Sequence, residues 1–203
     1  MSGPREPESW QKSNRAPVDF YDLKGVVETL LDGLHIGGAR YDPVEHPTYY
    51  PGRTARLSAG DRVIGTFGEI HPKVREAFDL PGQPVVAGEF DAEALMASLP
   101  GALSVVDVPR FPAVTEDLAL IVEDKTPAAR VHASIMAAGH GTVLQSARLF
   151  DVFKGDQVGA GKKSLAYRLT YQADRTLTDT EVAKVREAIV KRLSEDLNAV
   201  PRT

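Results

Sequence analysis

The sequence has no cysteine, which excludes disulfides, thiolate metal ligands and cysteine nucleophiles in one step. It also lacks any apolar run near the roughly 20 residues that span a bilayer, so a transmembrane helix and a membrane partner are excluded. The polar opening, Met1 to Asn14, mixes Pro, Glu and Lys and has no apolar centre of the kind a secretory signal needs. These absences point to a cytoplasmic protein. The five histidines include no i, i+4 pair, and no cysteine is present to complete a zinc site, so no metal site is expected. No Gly-x-Ser-x-Gly elbow occurs, and the carboxylates are dispersed among Lys and Arg as on a solvated surface. The residues therefore offer no catalytic set.

What the chain does contain is ordinary globular material. Hydrophobic residues make up 42% and charged residues 26% of its 203 positions, enough for a real core in one large domain or two smaller ones. The net charge of −4 hides an asymmetry. Up to Pro109, ten Lys and Arg face sixteen Asp and Glu; from Arg110 onward, fourteen face twelve. The stretch from Arg148 to Arg175 holds six basic residues and three acidic ones, a modest basic zone.

Residues 1–17 read as an irregular arm with Trp10 as its one large apolar side chain. A helix follows, capped by Asp19 or Asp22, with Leu23, Val26, Val27, Leu30, Leu31 and Leu34 as an apolar stripe at spacings of three and four. Residues 54–57 and 62–70 read as strands around an Ala59-Gly60-Asp61 turn, and His71-Pro72 opens a short helix. A strand over 85–90 and a helix capped by Asp91 complete a domain over 18–98. The segment 99–112, with three prolines, reads as a linker. From 113 to 203 the pattern is cleaner. A strand over 117–123 precedes a helix capped at Thr126-Pro127, and long strands over 143–153 and 164–172 flank a Gly-rich turn. Thr178 to Glu181 is a capping box that opens a helix burying Val182, Val185, Ile189, Leu193 and Leu197. A short final strand lies over 199–203. This β-α-β-β-α-β order predicts an α+β, ferredoxin-like antiparallel sheet with two helices on one face and the other face free.

The Gly-rich turn imitates a phosphate loop. However, five residues separate Gly155 from Gly161, Lys162 is followed by Lys163, and the next element is a strand, so no helix N-terminus supplies amides to a phosphate. The strand after it is more informative. Leu165, Tyr167, Leu169 and Tyr171 alternate with Ala166, Arg168, Thr170 and Gln172, so the second set faces away from the helices. The partner strand adds Arg148 and Phe150, its face assignment left open. Arg, polar and aromatic side chains on an open sheet hold splayed RNA bases in several modules; an ordinary solvated face or a protein interface is the competing reading. With the basic residues around it, the candidate RNA-binding set is Arg148, Phe150, Lys162, Lys163, Arg168, Thr170, Gln172 and Arg175.

Longer stretches carry a family likeness. Leu149-Phe150-Asp151-Val152-Phe153-Lys154-Gly155, Gly161 to Gln172 and Arg175-Thr176-Leu177-Thr178-Asp179 resemble the ferredoxin-fold anticodon-binding domain that closes the β subunit of bacterial phenylalanyl-tRNA synthetases. Phe111 to Val114 with Asp117 to Leu120 looks like its opening strand. Asp19 to Gly25, His46-Pro47 with Tyr50 to Arg53, and Gly65 to Pro72 resemble the end of that subunit's inactive, catalytic-like domain. The resemblance implies a non-catalytic part of an α2β2 ligase that joins phenylalanine to tRNA-Phe. The α subunit performs the chemistry with ATP and Mg2+, while this chain binds no cofactor, contacts the tRNA near its anticodon and supports assembly. It also implies a fragment or truncated product, because the length omits the editing, tRNA-binding and magnesium-associated regions and leaves the first domain short of strands. A free-standing RNA-binding module and a protein-interaction scaffold remain as alternatives. One departure stands out: Glu116 occupies a position where the family's opening strand usually carries a basic residue, and a carboxylate there would repel phosphate on an RNA-facing side.

Overall fold

The computed structural model describes residues 1–102, 105 and 107–202; Leu103, Ser104, Val106 and Thr203, which fall in the expected linker and final strand, lie outside the described residues. The chain forms two compact units, Met1–Val105 and Val106–Thr203.

The first unit begins its regular structure at α1 (Phe20–Gly33). Asp19 is the cap: its carboxylate accepts from the Tyr21 and Asp22 amides, and Asp22 accepts in return from the Asp19 amide at 2.7 Å. Three amide donors at the helix start are thereby satisfied, those of Asp19 and Asp22 reciprocally. Arg5 from the arm pairs with both carboxylates, at 2.5 Å to Asp19 and 2.9 Å to Asp22. The Asp19 amide and then Arg5 hold the Asp22 carboxyl below its usual range.

Strands β1 (Ala39–Pro43), β2 (Tyr49–Ala59), β3 (Arg62–Ile70) and β4 (Val86–Phe90) pair in that order, each antiparallel to its neighbour. The short helices α2 (Pro72–Ala77) and α3 (Ala92–Met96) follow β3 and β4, capped by His71 and Asp91. Strand β1 was not expected from sequence; with Arg40, Asp42 and Pro43 around a lone Tyr41, it shows too little apolar alternation to signal a strand. The arm is not wholly irregular either, because Met1 exchanges backbone hydrogen bonds with Val86 and Ser2 bridges Val85.

The core gathers Leu23, Val27 and Leu31 of α1 against Leu57, Ile64, Phe67 and Val86, with Phe20 stacked on Phe67 at 5.2 Å. Close strand approach explains the glycines of β3: a Cβ on Gly68 would sit 2.5 Å from the Arg53 carbonyl oxygen. The stripe on α1 is narrower than expected, since Val26 and Leu30 are 52% and 47% exposed. Residues 23, 27 and 31 form one i, i+4 row that is buried against the sheet, while Val26 and Leu30 turn away from it.

The second unit runs β5 (Val114–Glu123), α4 (Ala128–Gly139), β6 (Leu144–Phe153), β7 (Lys162–Tyr171), α5 (Asp179–Leu197) and β8 (Val200–Pro201). The sheet order is β6-β7-β5-β8, all antiparallel. Both helices pack on one face, where Val131 and Ile135 of α4 and Val182, Ile189, Leu193 and Leu197 of α5 meet Leu118, Leu120, Leu165, Tyr167, Leu169 and Tyr171. This is the ferredoxin-like α+β plan. Buried Tyr167 donates its hydroxyl to the Ala128 carbonyl at 2.9 Å, and burial raises the phenol's pKa. Helix α4 has Pro127 as its cap and no side-chain bond there, so Thr126 does not cap it as expected. The capping box of α5 forms as read, with Glu181 accepting from the Thr178 amide at 3.0 Å.

Glu116 does not face outward. Strand register sets it opposite buried Leu169, on the helix side, where Arg186 of α5 donates to it at 2.6 Å. The expected repulsion of phosphate is removed, because alternation turns this carboxylate beneath α5. Nearby Tyr171 is pushed up to about 12, by burial first and by Glu116 second.

The narrow stripe of α1 gives a direct test. Leu31→Ala should destabilise the first unit by about 2–5 kcal/mol, whereas Leu30→Ala should stay within about 0.5 kcal/mol. Chemical denaturation of the two variants checks the difference; equal losses would contradict the packing of α1.

Candidate nucleic-acid interface

The open face of the second sheet is built by β7. Its odd-numbered residues from Leu165 to Tyr171 are buried under the helices, so Ala166, Arg168 and Thr170 project the other way. Pairing sets Thr115, Asp117 and Ala119 of β5 opposite Thr170, Arg168 and Ala166. On the other flank, β6 brings Ser146, Arg148, Asp151 and Phe153 beside Thr170, Arg168, Ala166 and Ser164.

The register of β6, with Arg148 opposite Arg168, settles the face that sequence left open, and a bulge follows. Leu149 pairs with Tyr167 and Asp151 with Ala166, so Phe150 is the inserted residue between them. A bulge adds one residue to one strand and re-aims the side chains that follow. Phe150 therefore sits on the open side, half exposed, with the Arg168 guanidinium 5.2 Å from its ring centre. The same guanidinium forks onto Asp117, Nε to Oδ1 at 2.8 Å and Nη2 to Oδ2 at 2.9 Å. This side-on pair holds the Asp117 carboxyl below the usual range and keeps it ionised at neutral pH.

The other candidates divide. Arg148 lies directly opposite Arg168 on this face, and Thr170 is half-buried between Thr115 and Ser146. Lys162 stands exposed at the start of β7. Lys163 pairs opposite buried Val122, on the helix side, and donates to the Asp124 carbonyl at 2.6 Å; burial lowers its pKa. Gln172 lies past the strand and is tied to the Phe111 carbonyl at 2.7 Å. Arg175 belongs to the start of α5, where it forks onto Glu181, 2.9 Å at one contact.

Sequence reading missed four residues of this face: Asp117, Asp151, Phe153 and Arg202. Arg202 donates its amide to the Ala119 carbonyl and sets its guanidinium 5.2 Å from the Phe153 ring, with a further bond to Gln157 at 3.2 Å. The second arginine–phenylalanine pair needs knowledge that β8 returns beside β5, which no local pattern carries. The Gly-rich loop behaves as a hairpin connection. The amides of Val158, Gly159 and Lys162 are bonded to loop carbonyls, and Lys154 pairs with Asp124 at 2.6 Å.

In the first unit, motif residues far apart in sequence also meet. Arg53 donates to largely buried Glu69 at 2.6 Å and lies 4.7 Å over the Tyr50 ring, which stacks in turn on His71 at 5.9 Å. His71 accepts the Lys73 amide on Nδ1 at 3.1 Å and so caps α2. Among the described residues no group of three or more His, Asp or Glu could hold a metal ion. No helix among them is long and apolar enough to cross a membrane.

Together the two units carry the domain pair of an aminoacyl-tRNA synthetase component. Residues 109–202 match the ferredoxin-fold anticodon binding domain, and residues 1–92 match the phenylalanyl tRNA synthetase beta chain CLM domain. The chain belongs to the phenylalanyl-tRNA synthetase β-chain family. It is 45% identical to the phenylalanine–tRNA ligase beta subunit of Symbiobacterium thermophilum, over 98% of this chain and 22% of that protein. The beta subunit of Geobacter sulfurreducens is 38% identical, over 100% of this chain and 25% of that protein. That of Moorella thermoacetica is 44% identical, over 90% of this chain and 23% of that protein. The chain thus spans about a quarter of the length of the curated relatives it matches.

The assignment of Arg175 to the start of α5 predicts a pH effect. Arg175 and the Thr178 amide lower Glu181 from 4.5 to about 2. A depressed carboxyl stabilises the fold fully above its unfolded value, and that contribution is lost as pH falls through the folded value. The first turn of α5 should therefore loosen between about pH 4.5 and pH 2, and in Glu181→Gln that pH dependence should vanish. Amide exchange at Glu181 and Val182 reads it out, and an unchanged profile in Glu181→Gln would refute the coupling.

Proposed function

We propose that the chain is the tRNA-contacting and assembly-supporting part of a phenylalanine–tRNA ligase β subunit. Its second unit holds the anticodon region of tRNA-Phe on the open face of β6, β7 and β5. Its first unit supports docking of the catalytic α subunit of an α2β2 enzyme, which carries out ATP- and Mg2+-dependent aminoacylation in the cytoplasm. The observation that carries the reading is the arrangement of Arg168, Asp117 and Phe150 on a free sheet face within a matched anticodon-binding domain.

The physical roles are distinct. Half-exposed Phe150 offers a ring on which an unpaired base can stack, and Phe153 supplies a second. The guanidiniums of Arg168 and Arg202 lie against those rings and can extend the stack or bond a base edge. Arg148 and exposed Lys162 meet the backbone. Thr170, Ser146 and Thr115 give short hydroxyls that let a strand approach the sheet closely. For assembly, Val26 and Leu30 form an exposed i, i+4 apolar pair on α1, a surface a partner subunit would cover.

A titration of the full chain with tRNA-Phe and one non-cognate tRNA, at low and moderate salt, tests the reading. Saturable binding that prefers tRNA-Phe is expected, and Arg168→Ala should weaken it about tenfold, the scale of one lost base contact. Equal affinity for both tRNAs at every salt concentration would overturn anticodon recognition. Unchanged affinity in Arg168→Ala would remove the sheet face from the site.

A further inference from the structure

The central arginine of the open face, and several basic residues beside that face, are engaged within the protein. Arg168 forks onto Asp117, Lys154 pairs with Asp124, Arg175 with Glu181, and Lys163 donates to a carbonyl. Among the described residues, Arg148 and Lys162 have no ion-pair partner. A surface built to grip phosphate would leave its cations free, because the affinity of such a surface comes from neutralising phosphates and releasing their counterions. Asp117 does the opposite at the centre of the sheet, cancelling the charge of the most central arginine.

The geometry of that pair gives it a purpose. Asp117 holds Nε and Nη2 of Arg168, so the guanidinium cannot swing outward without breaking two charge-assisted bonds. The bonds fix the guanidinium 5.2 Å from the Phe150 ring centre and leave its Nη1 edge open. The Asp117 side chain is about half exposed, and its oxygens retain lone pairs that accept from base amino groups. Arg148 stands opposite Arg168 on the other flank, so cross-strand repulsion alone would push both guanidiniums apart without Asp117.

We propose that Asp117 is a positioning residue that sets the specificity of this face, holding Arg168 over Phe150 so that the guanidinium meets an unpaired, amino-bearing base rather than a phosphate. The inference rests on the RNA reading above and adds that the face discriminates by bases while binding backbone weakly.

The test compares the full chain with Asp117→Asn, Arg168→Ala and the double variant, using tRNA-Phe and tRNA-Phe with one anticodon base changed, across a salt series. Asp117→Asn is isosteric at an exposed site, and its melting temperature checks that the fold is kept. In Asp117→Asn, Arg168 is released toward phosphate, so the dependence of log affinity on log salt should steepen by about 0.7. Binding to the altered tRNA should tighten, and preference for tRNA-Phe should fall about tenfold. In the Arg168→Ala background the Asp117 substitution should change neither slope nor preference. A wild-type chain that binds tRNA while Asp117→Asn keeps both slope and preference would overturn this inference and leave the RNA reading standing. Equal effects of Asp117→Asn with and without Arg168 would overturn it too, as a purely structural role. A wild-type chain that binds no tRNA removes the RNA reading and this inference with it.

Discussion

The two-residue alternation of β7 fixes what the second unit buries and what it shows. Leu165, Tyr167, Leu169 and Tyr171 are each no more than 1% exposed, and together they form the floor on which α4 and α5 rest. A slip of one residue would exchange that floor for Ala166, Arg168 and Thr170, burying a guanidinium and exposing two tyrosines. The cost of such a slip is prohibitive, so the register is strongly specified by the core alone. The position of Arg168 on the open face is thus a by-product of core packing, and so is the full-length pairing of β5 with β7 that brings Asp117 opposite it.

Strand β6 is less constrained, and its irregularity matters. It is an edge strand with two register shifts, one of which inserts Phe150. Bulges protect edges from pairing with other chains, and this one also brings Asp151 and Phe153 to the face that Phe150 occupies. Without the inserted residue, alternation from Arg148 would still leave Phe150 outward, but Asp151 and Phe153 could not both share its face. The bulge is what lets both phenylalanines and an aspartate of one short strand face the same way.

Legibility in the sequence followed the strength of periodicity. Helix α5, with its capping box and apolar row from Val182 to Leu197, could be read directly, as could β7 with its clean alternation. The α4 cap could not, because a Thr-Pro pair looks like a cap whether or not the hydroxyl is turned inward. Strand β1 was invisible because an edge strand of five mostly polar residues depends on its neighbour for its shape. On α1 the stripe was read too wide, since apolar residues at 26 and 30 belong to the helix surface whether a core or a partner covers them. Strand parity placed Arg168 on the open face, whereas Phe150 was named from composition with its face left open. Asp117 and Arg202 were not found, because an acidic residue and a terminal arginine acquire meaning only from strands paired far apart in sequence. Glu116 posed a conditional conflict with RNA, and its parity turns it to the helix side, where it accepts from Arg186.

Every tRNA presents nearly the same phosphate backbone, so contacts to phosphate raise affinity for all of them together and carry no information about which one is bound. Discrimination is a difference of affinities, and it grows when shared terms are small and base-dependent terms are large. A face whose central cation is neutralised by Asp117 has smaller shared terms than one that leaves every cation free. Its net positive charge is slight, with fourteen basic against twelve acidic residues from Arg110 onward. Under the proposed RNA reading, what would distinguish one RNA from another is the pair of phenylalanine rings, the guanidiniums lying against them, and the carboxylates of Asp117 and Asp151. On that reading the face would gain selectivity at the expense of grip, as suits a domain that binds beside other contacts rather than alone.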